Sequence, residues 1–185
     1  MATVAVIAHT RKHLGGGLSE LREVLAAHGV DEPLWYEVEK SKKAPKPARE
    51  ALDAGADLVF VWGGDGMVQR CADVLAGTGA AMAILPAGTA NLLATNLGIP
   101  ADIEQGVRVG LAGHRRDLDV GRVNGERFVV MAGVGFDALM IRDADRKLKA
   151  RAGRGAYILT AARHLREPRV RTRIIVDGTT WFHDD

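Results

Sequence analysis

The sequence predicts an α/β protein with an open, mostly parallel sheet flanked by helices, followed by the start of an incomplete, β-rich domain. Three observations lead to this prediction. Short apolar runs alternate with amphipathic helical patterns through residues 3–100, and such alternation implies a parallel sheet covered on both faces. Glycines stand where the two kinds of segment meet, as tight βα turns require. Beyond residue 115, strand-like runs are joined by Asn-Gly and Asp-Gly pairs, which favour hairpins.

The elements of the first half follow from the spacing of apolar residues. The first strand is predicted over residues 3–8, a buried apolar run. A helix begins near Leu18 because apolar residues then recur at helical spacing until Gly29. The same reasoning predicts further strands over residues 34–38, 57–62 and 82–85, and further helices over residues 44–54, over residues 67–76 and from about residue 90.

The second half is predicted to be richer in β-structure. Residues 117–123 and 127–132 flank Asn124-Gly125, the pair best suited to a type I′ hairpin turn. A helix is expected from about residue 136, and a second hairpin pairs residues 171–176 with 179–182. The change of pattern predicts two domains: an α/β domain over residues 1–114 and a partial, truncated β-rich domain over residues 115–185.

Composition fits a globular protein and does not by itself indicate a partner. The chain has 185 residues, 47% of them apolar, and a formal net charge of +2, which is ordinary for a folded domain with a core. The single cysteine, Cys71, excludes an internal disulfide and fits a reducing compartment. The apolar residues 1–8 are too few for a signal peptide or a spanning helix. We therefore expect a cytoplasmic protein, with peripheral membrane contact left open.

The most informative motif is Gly63-Gly64-Asp65-Gly66, which follows one predicted strand and precedes a helix. Glycines let the backbone approach an anion closely, and the free N–H groups of a helix N-terminus point at it. The carboxylate of Asp65 stands where a magnesium-bound phosphate would lie. The simpler alternative is a tight turn in which Asp65 caps the helix.

Similar polar loops follow the other predicted strands. After the fourth strand come Gly88, Thr89 and Asn91, and parallel strands place such loops in one crevice. Thr10 and Arg11 lie after the first strand. Ser41 lies among lysines after the second strand. The cations of these loops either neutralise phosphate or are simply solvated. Asp119 lies between two apolar residues and should point away from the core, toward solvent or the cleft.

A basic stretch lies in the second half. Between Arg142 and Arg173 there are eleven Lys and Arg residues against three acids. Such a stretch is commonly a solvated face, and it could also attract anionic lipid. No aromatic residues alternate with the cations in the manner of a single-strand nucleic-acid binder, so a nucleic-acid partner is not expected.

The motifs together resemble the diacylglycerol kinase catalytic family, which includes bacterial soluble lipid kinases and the sphingosine and ceramide kinases. The resemblance covers nearly the whole chain. It implies a nucleotide-binding domain followed by a lipid-binding β-sandwich, with ATP and Mg²⁺ in the cleft between them. It also implies transfer of the γ-phosphoryl group to a lipid hydroxyl of diacylglycerol or sphingoid type. The matching segments are Gly63-Gly64-Asp65-Gly66, residues 84–91, residues 97–100 and residues 133–138.

Carried onto this sequence, the resemblance gives Asp65 the role nearest magnesium and phosphate, and it gives Thr89 a nucleotide-contacting hydroxyl. The loop that starts at Thr10 corresponds to the first ATP-binding loop, and Asp119 matches an acidic position at the start of the second domain. Asp65 is thus the predicted catalytic residue, and Asp65 and Asp119 are the predicted metal ligands. The predicted nucleotide-binding residues are Thr10, Arg11, Ser41, Gly63, Gly64, Asp65, Gly66, Gly88, Thr89 and Asn91.

The sequence departs from the family pattern in several places. His9 and Thr10 stand where Asn-Pro is usual, Met67 replaces a usual Thr, and Leu92 follows Asn91 as in the sphingosine and ceramide kinases. The family's general-base aspartate would lie beyond Asp185, so the resemblance implies an N-terminal portion that lacks this base.

Two other functions stay open. An NAD kinase also carries a Gly-Gly-Asp-Gly loop, although its usual Asn-Glu pair is not supplied by Asn91-Leu92. A non-catalytic nucleotide-binding module is the alternative of a different class. The lipid acceptor and the oligomeric state are not predicted.

Overall fold

The computed structural model describes residues 2–112, 114–133, 138, 171–176 and 178–184. It divides into two compact units, residues 1–131 and 132–185. The predicted helix from about residue 136 and most of the basic stretch lie outside the described residues. No helix in the described part of the chain is long and apolar enough to cross a membrane.

The centre of the first unit is a parallel sheet of four strands in the order β2-β1-β3-β4. The two central strands, β1 and β3, are buried at every position, as expected of a sheet that helices cover on both faces. This confirms the predicted fold class. The strands are β1 (Val4–His9), β2 (Leu34–Val38), β3 (Leu58–Gly63) and β4 (Ala81–Pro86).

Helices pack on both faces of this sheet and divide the core in two. Alternate residues of a strand point to opposite faces, so Ile7 and Val61 pack with α2 and α3, while Val6 and Phe60 pack with α1 and α5. Each such fully buried side chain contributes about 1.5–3 kcal/mol to folding. The helices are α1 (Gly17–Ala27), α2 (Pro45–Asp53), α3 (Asp65–Leu75), α4 (Leu92–Asn96) and α5 (Ile103–Leu111), with a 3₁₀ turn over Ser41–Lys43.

Both predicted hairpins are present as antiparallel pairs. In the first unit, β5 (Gly121–Val123) pairs with β6 (Glu126–Phe128) around Asn124 and Gly125, whose φ angles of 49° and 88° suit a type I′ turn. In the second unit, β7 (Thr172–Val176) pairs with β8 (Thr179–Asp184), with a register shift between Ile174 and Ile175.

Several predicted boundaries were wrong. The strand expected over 117–123 has partners only over 121–123, and residues 114–120 form an exposed extended segment. The helix expected from about residue 90 is the short α4, and α5 follows as a helix that the sequence reasoning missed. Its signal was Asp102, whose side chain accepts a hydrogen bond from Gln105 N at 2.8 Å, a standard N-cap.

Candidate functional site

The parallel sheet brings the loops after its four strands to one edge, because all four strands end on the same side. Every predicted nucleotide-binding residue lies at or shortly after the end of a strand at this edge. Thr10 and Arg11 follow β1, and Ser41 follows β2. The other residues belong to two glycine-containing loops. The first glycine loop is defined as residues 63–66, beginning at the last residue of β3, and the second glycine loop as residues 86–91, beginning at the last residue of β4.

The first glycine loop runs directly into α3. Gly64 is the N-cap residue, with an extended backbone and no side-chain cap, and Asp65 is the first residue of the helix. Asp65 is therefore not the N-cap of α3, which was the simpler reading of the motif. Within the described part of the chain, the backbone N–H groups of Asp65 and Gly66 have no hydrogen-bond partner. These groups and the positive end of the helix dipole suit an anion.

The two glycine loops touch through their backbones. A Cβ added to Gly88 would lie 2.4 Å from Gly64 Cα and 2.5 Å from Asn91 Oδ1. Neither distance is tolerable, so residue 88 must be glycine if the loops are to stay in contact. The visible reason for a glycine at this position is the close approach of another loop.

The carboxylate of Asp65 bridges to the second glycine loop and the helix after it. Its Oδ2 accepts a hydrogen bond from Asn91 N at 3.0 Å, and its Oδ1 accepts one from Leu92 N at 2.5 Å. The side chain is half-buried. Asp65 thus satisfies backbone donors at the start of α4 rather than those of its own helix.

The side chain of Asn91 makes all of its hydrogen bonds within its own loop. Its backbone is left-handed, with φ 50° and ψ 48°. Its side-chain Oδ1 accepts from Gly88 N at 2.9 Å, and its Nδ2 donates to Pro86 O at 3.2 Å and to Gly88 O at 3.1 Å. The neighbouring Thr89 is exposed. Among the residues that the structure describes, its hydroxyl and the N–H groups of Thr89 and Ala90 have no hydrogen-bond partner.

Ser41 lies close to the N-terminus of α3. A Cβ added to Gly66 would be 3.5 Å from Ser41 Oγ, an ordinary contact distance. The turn after β2 therefore borders the first glycine loop. The lysines on either side of Ser41 are exposed, and they make this rim of the cleft positive, which attracts anionic ligands.

The loop after β1 is fixed to β2. Thr10 N donates to Val38 O at 3.0 Å, and the Thr10 hydroxyl lies 3.5 Å from the same oxygen. Arg11 is exposed and pairs with Glu39 at 3.7 Å, a surface pair of small energetic value. Thr10 and Arg11 thus lie at the expected edge, with Thr10 held to the sheet.

His9 is a residue of this edge that the sequence reasoning did not select. It is the last residue of β1 and is 8% exposed. Its Nδ1 accepts a hydrogen bond from Arg11 N at 3.2 Å, so in the neutral ring the proton sits on Nε2. Burial, and next the charge of Lys12, lower the pKa of His9. The signal available in the sequence was a titratable residue at the end of a buried strand.

Asp119 is not joined to Asp65 by any described contact. It lies in the exposed segment 114–120 and borders a cavity of about 700 Å³ along β4 and α5. No group of three or more acidic, histidine or cysteine side chains suited to a metal occurs in the described ranges. Within the described residues, Asp65 and Asp119 are therefore not part of a preformed group of three or more metal-ligating side chains.

These features define an α/β domain with a cleft of glycine loops at the carboxyl ends of its strands. Residues 6–123 match the model of the diacylglycerol kinase catalytic domain. The chain belongs to the diacylglycerol kinase catalytic domain family.

The chain is also similar to individual proteins. The chain is 36% identical over 140 residues to an uncharacterized protein of Synechocystis, covering 75% of this chain and 32% of that protein. It is 34% identical over 151 residues to a "Probable lipid kinase YegS-like" of Klebsiella pneumoniae, covering 78% of this chain and 50% of that one. A crystal structure of a diacylglycerol kinase from Bacillus anthracis is 26% identical and superimposes with a TM-score of 0.71, covering 98% of this chain and 61% of that one. The chain thus spans between 32% and 50% of the length of these two sequence relatives.

Proposed function

We propose that this chain is the ATP-binding portion of a lipid kinase, in which the γ-phosphoryl group passes to a lipid hydroxyl of diacylglycerol or sphingoid type. The main support for the proposal is the pair of glycine loops in backbone contact, each with N–H groups that have no partner among the residues described by the structure. Four such donors, on Asp65, Gly66, Thr89 and Ala90, lie on the loops of adjacent strands. Backbone donors at a helix N-terminus are a recurrent way to bind phosphate.

The residues present fit a magnesium ion that arrives with the nucleotide. Mg²⁺ in such sites is held by one or two carboxylates together with substrate phosphates and water. Each oxygen of Asp65 accepts one N–H, and a carboxylate has about four acceptor positions, so two remain. When bound, the ion would neutralise charge on the phosphates. Asp65 would hold it, and Asp119 is the proposed second acidic residue.

The described residues supply binding and positioning for phosphoryl transfer. In this chemistry the protein mainly aligns the reactants and stabilises charge on the phosphoryl oxygens. The loop donors would bind the phosphate oxygens, and Thr89 would add a hydroxyl. Arg11 and the lysines beside Ser41 would attract the nucleotide into the cleft.

The proposal is tested by calorimetric titration of ATP into the wild type and Gly88→Ala. The added methyl group would separate the two loops, because its Cβ would lie 2.4 Å from Gly64 Cα. We expect ATP affinity to fall at least tenfold. Gly29→Ala is the matched control, since it strains a glycine with φ 80° that has open space around it, far from the loops. Equal affinity in all three proteins would contradict the proposal.

The acceptor is tested separately, in a protein that also includes the region of the family's general base, by measuring phosphate transfer from ATP to diacylglycerol, sphingosine and NAD. Transfer to a lipid alcohol supports the lipid kinase, transfer to NAD supports the NAD kinase alternative, and binding without transfer supports a nucleotide-binding module.

We also propose that the lipid is reached at an anionic membrane surface. Lys40, Lys42 and Lys43 are exposed beside the cleft, and a well-placed cation near anionic lipid contributes about 1 kcal/mol. Reversing these charges should lower sedimentation with phosphatidylserine vesicles, and unchanged sedimentation would contradict this part.

A further inference from the structure

The contacts of Asp65 differ from those of a carboxylate held ready only for a cation. Both of its oxygens accept backbone N–H groups, from Asn91 and Leu92. These donors lie 26 and 27 residues further along the chain. The interaction therefore ties one loop to another, across two adjacent strands.

Asn91 completes this tie from the other side. Its N–H reaches Asp65, while its side chain makes three hydrogen bonds that close the second glycine loop. The loop it closes is the one whose Gly88 rests against Gly64. These contacts join the two loops to each other. We call the hydrogen bonds of Asp65 and Asn91 together the Asp65–Asn91 bridge.

We propose that Asp65 and Asn91 are positioning residues: their bridge holds the N–H groups of Thr89 and Ala90 beside the N-terminus of α3. Phosphate binding then depends on the bridge whether or not magnesium is present. This inference rests on the proposed function, because it concerns the same cleft. Asp65 can still hold a cation, and its role in positioning the two loops does not require that cation.

Two roles for Asp65, holding the bridge or only binding metal, lead to opposite changes in the affinity for ATP without magnesium when Asp65 is replaced. A free carboxylate beside a triphosphate repels it, so removing its charge should raise the affinity for metal-free ATP. Loss of the bridge should lower that affinity instead. In Asp65→Asn the amide has one acceptor oxygen for two N–H donors, and its own NH₂ group would face one of them.

The experiment measures ATP affinity by calorimetry with excess Mg²⁺ and again with EDTA. We expect Asp65→Asn to lose about tenfold in EDTA, the size of effect typical of a hydrogen bond to a charged group, and more with Mg²⁺, because the same carboxylate would hold the cation. Asn91→Gly, which permits the left-handed backbone and removes the side chain, should lose a similar factor. The double variant should lose little more than either, because both changes break one bridge. Asp102→Asn is the matched control: it alters an acid that caps α5, Asn caps equally well, and affinity should not change.

An affinity loss confined to the Mg²⁺ condition, or a gain in EDTA, would overturn the bridge as a determinant of binding. Amide hydrogen exchange separates this outcome from failure of the proposed function. If the wild type does not bind ATP, the proposed function fails. The bridge still predicts slow exchange at Leu92 N–H that becomes faster in Asp65→Asn, whereas equal exchange in the two proteins overturns it.

Discussion

At the scale of single residues, contacts within and between the loops give a reason for several residues of the cleft. Gly88 is required because Gly64 lies against it, and Asn91 is required because its three side-chain hydrogen bonds close one loop. The sequence therefore identifies a motif of this kind, but it does not show which contact requires each residue of the motif. The Asp65 carboxylate is the clearest case, because its partners lie 26 and 27 residues away.

His9 makes a testable contribution to the pH dependence of stability. Its pKa in the folded protein is lowered by burial, with further lowering by Lys12 and Arg11. The unfolded state, with a pKa near 6.5, therefore binds the proton more readily, and the free energy of unfolding should fall as pH decreases below about 6.5. Above that pH the contribution is fully present.

The measurement is chemical denaturation of wild type and His9→Asn between pH 5 and 8. The variant should lose part of the decline in stability at acid pH. His13→Asn, at an exposed histidine of the same loop, should keep the wild-type dependence. A wild-type decline that persists unchanged in His9→Asn would refute the prediction.

At the scale of elements, α3 connects the cleft to the hairpin of the first unit. Gln69 donates from Nε2 to Arg127 O and accepts at Oε1 from Val129 N at 3.2 Å. Asp73, one turn further on, accepts a hydrogen bond from Arg127 N at 3.2 Å through Oδ1, and the Arg127 guanidinium donates to the backbone oxygen of Asp73 at 3.1 Å. The side chains of Gln69 and Asp73 thus hydrogen-bond to the backbone of Arg127 and Val129, as a neighbouring strand would.

This arrangement predicts that Gln69→Leu loosens the hairpin. The change would leave the carbonyl of Arg127 and the N–H of Val129 without partners, at a cost of about 1–3 kcal/mol. Hydrogen exchange at the Val129 amide should become faster by tenfold or more. Gln105→Leu, at an exposed glutamine of α5, is the control and should leave that amide unchanged. Exchange at Val129 that is equal in both variants would show that Gln69 does not hold the hairpin.

The elements also show where sequence reasoning succeeds and fails. The buried strands β1 and β3 were predictable because both of their faces must be apolar. The first hairpin turn was predictable because Asn124-Gly125 favours left-handed backbone angles. The extent of the strand before it was not, because β-structure depends on a partner strand and residues 114–120 have none within the described chain.

At the scale of the whole molecule, the order of the strands decides which loops meet. In the order β2-β1-β3-β4, the loops after β3 and β4 are neighbours, and so are those after β1 and β2. The alternation of strands and helices predicted the parallel sheet and the edge at which candidate residues gather. It did not predict the contacts between loops, because those depend on backbone conformations at residues such as Asn91. The role of Asp119 as a metal ligand stays a prediction.

The central claim is that the paired glycine loops form the phosphate site, and the most direct measurement is an ATP titration of the ¹⁵N-labelled protein followed by amide NMR. We predict that the largest changes in amide chemical shift occur at the N–H groups of Asp65, Gly66, Thr89 and Ala90, and that Gly88→Ala abolishes these changes. Shifts centred on other residues, or no shifts at millimolar ATP, would contradict it.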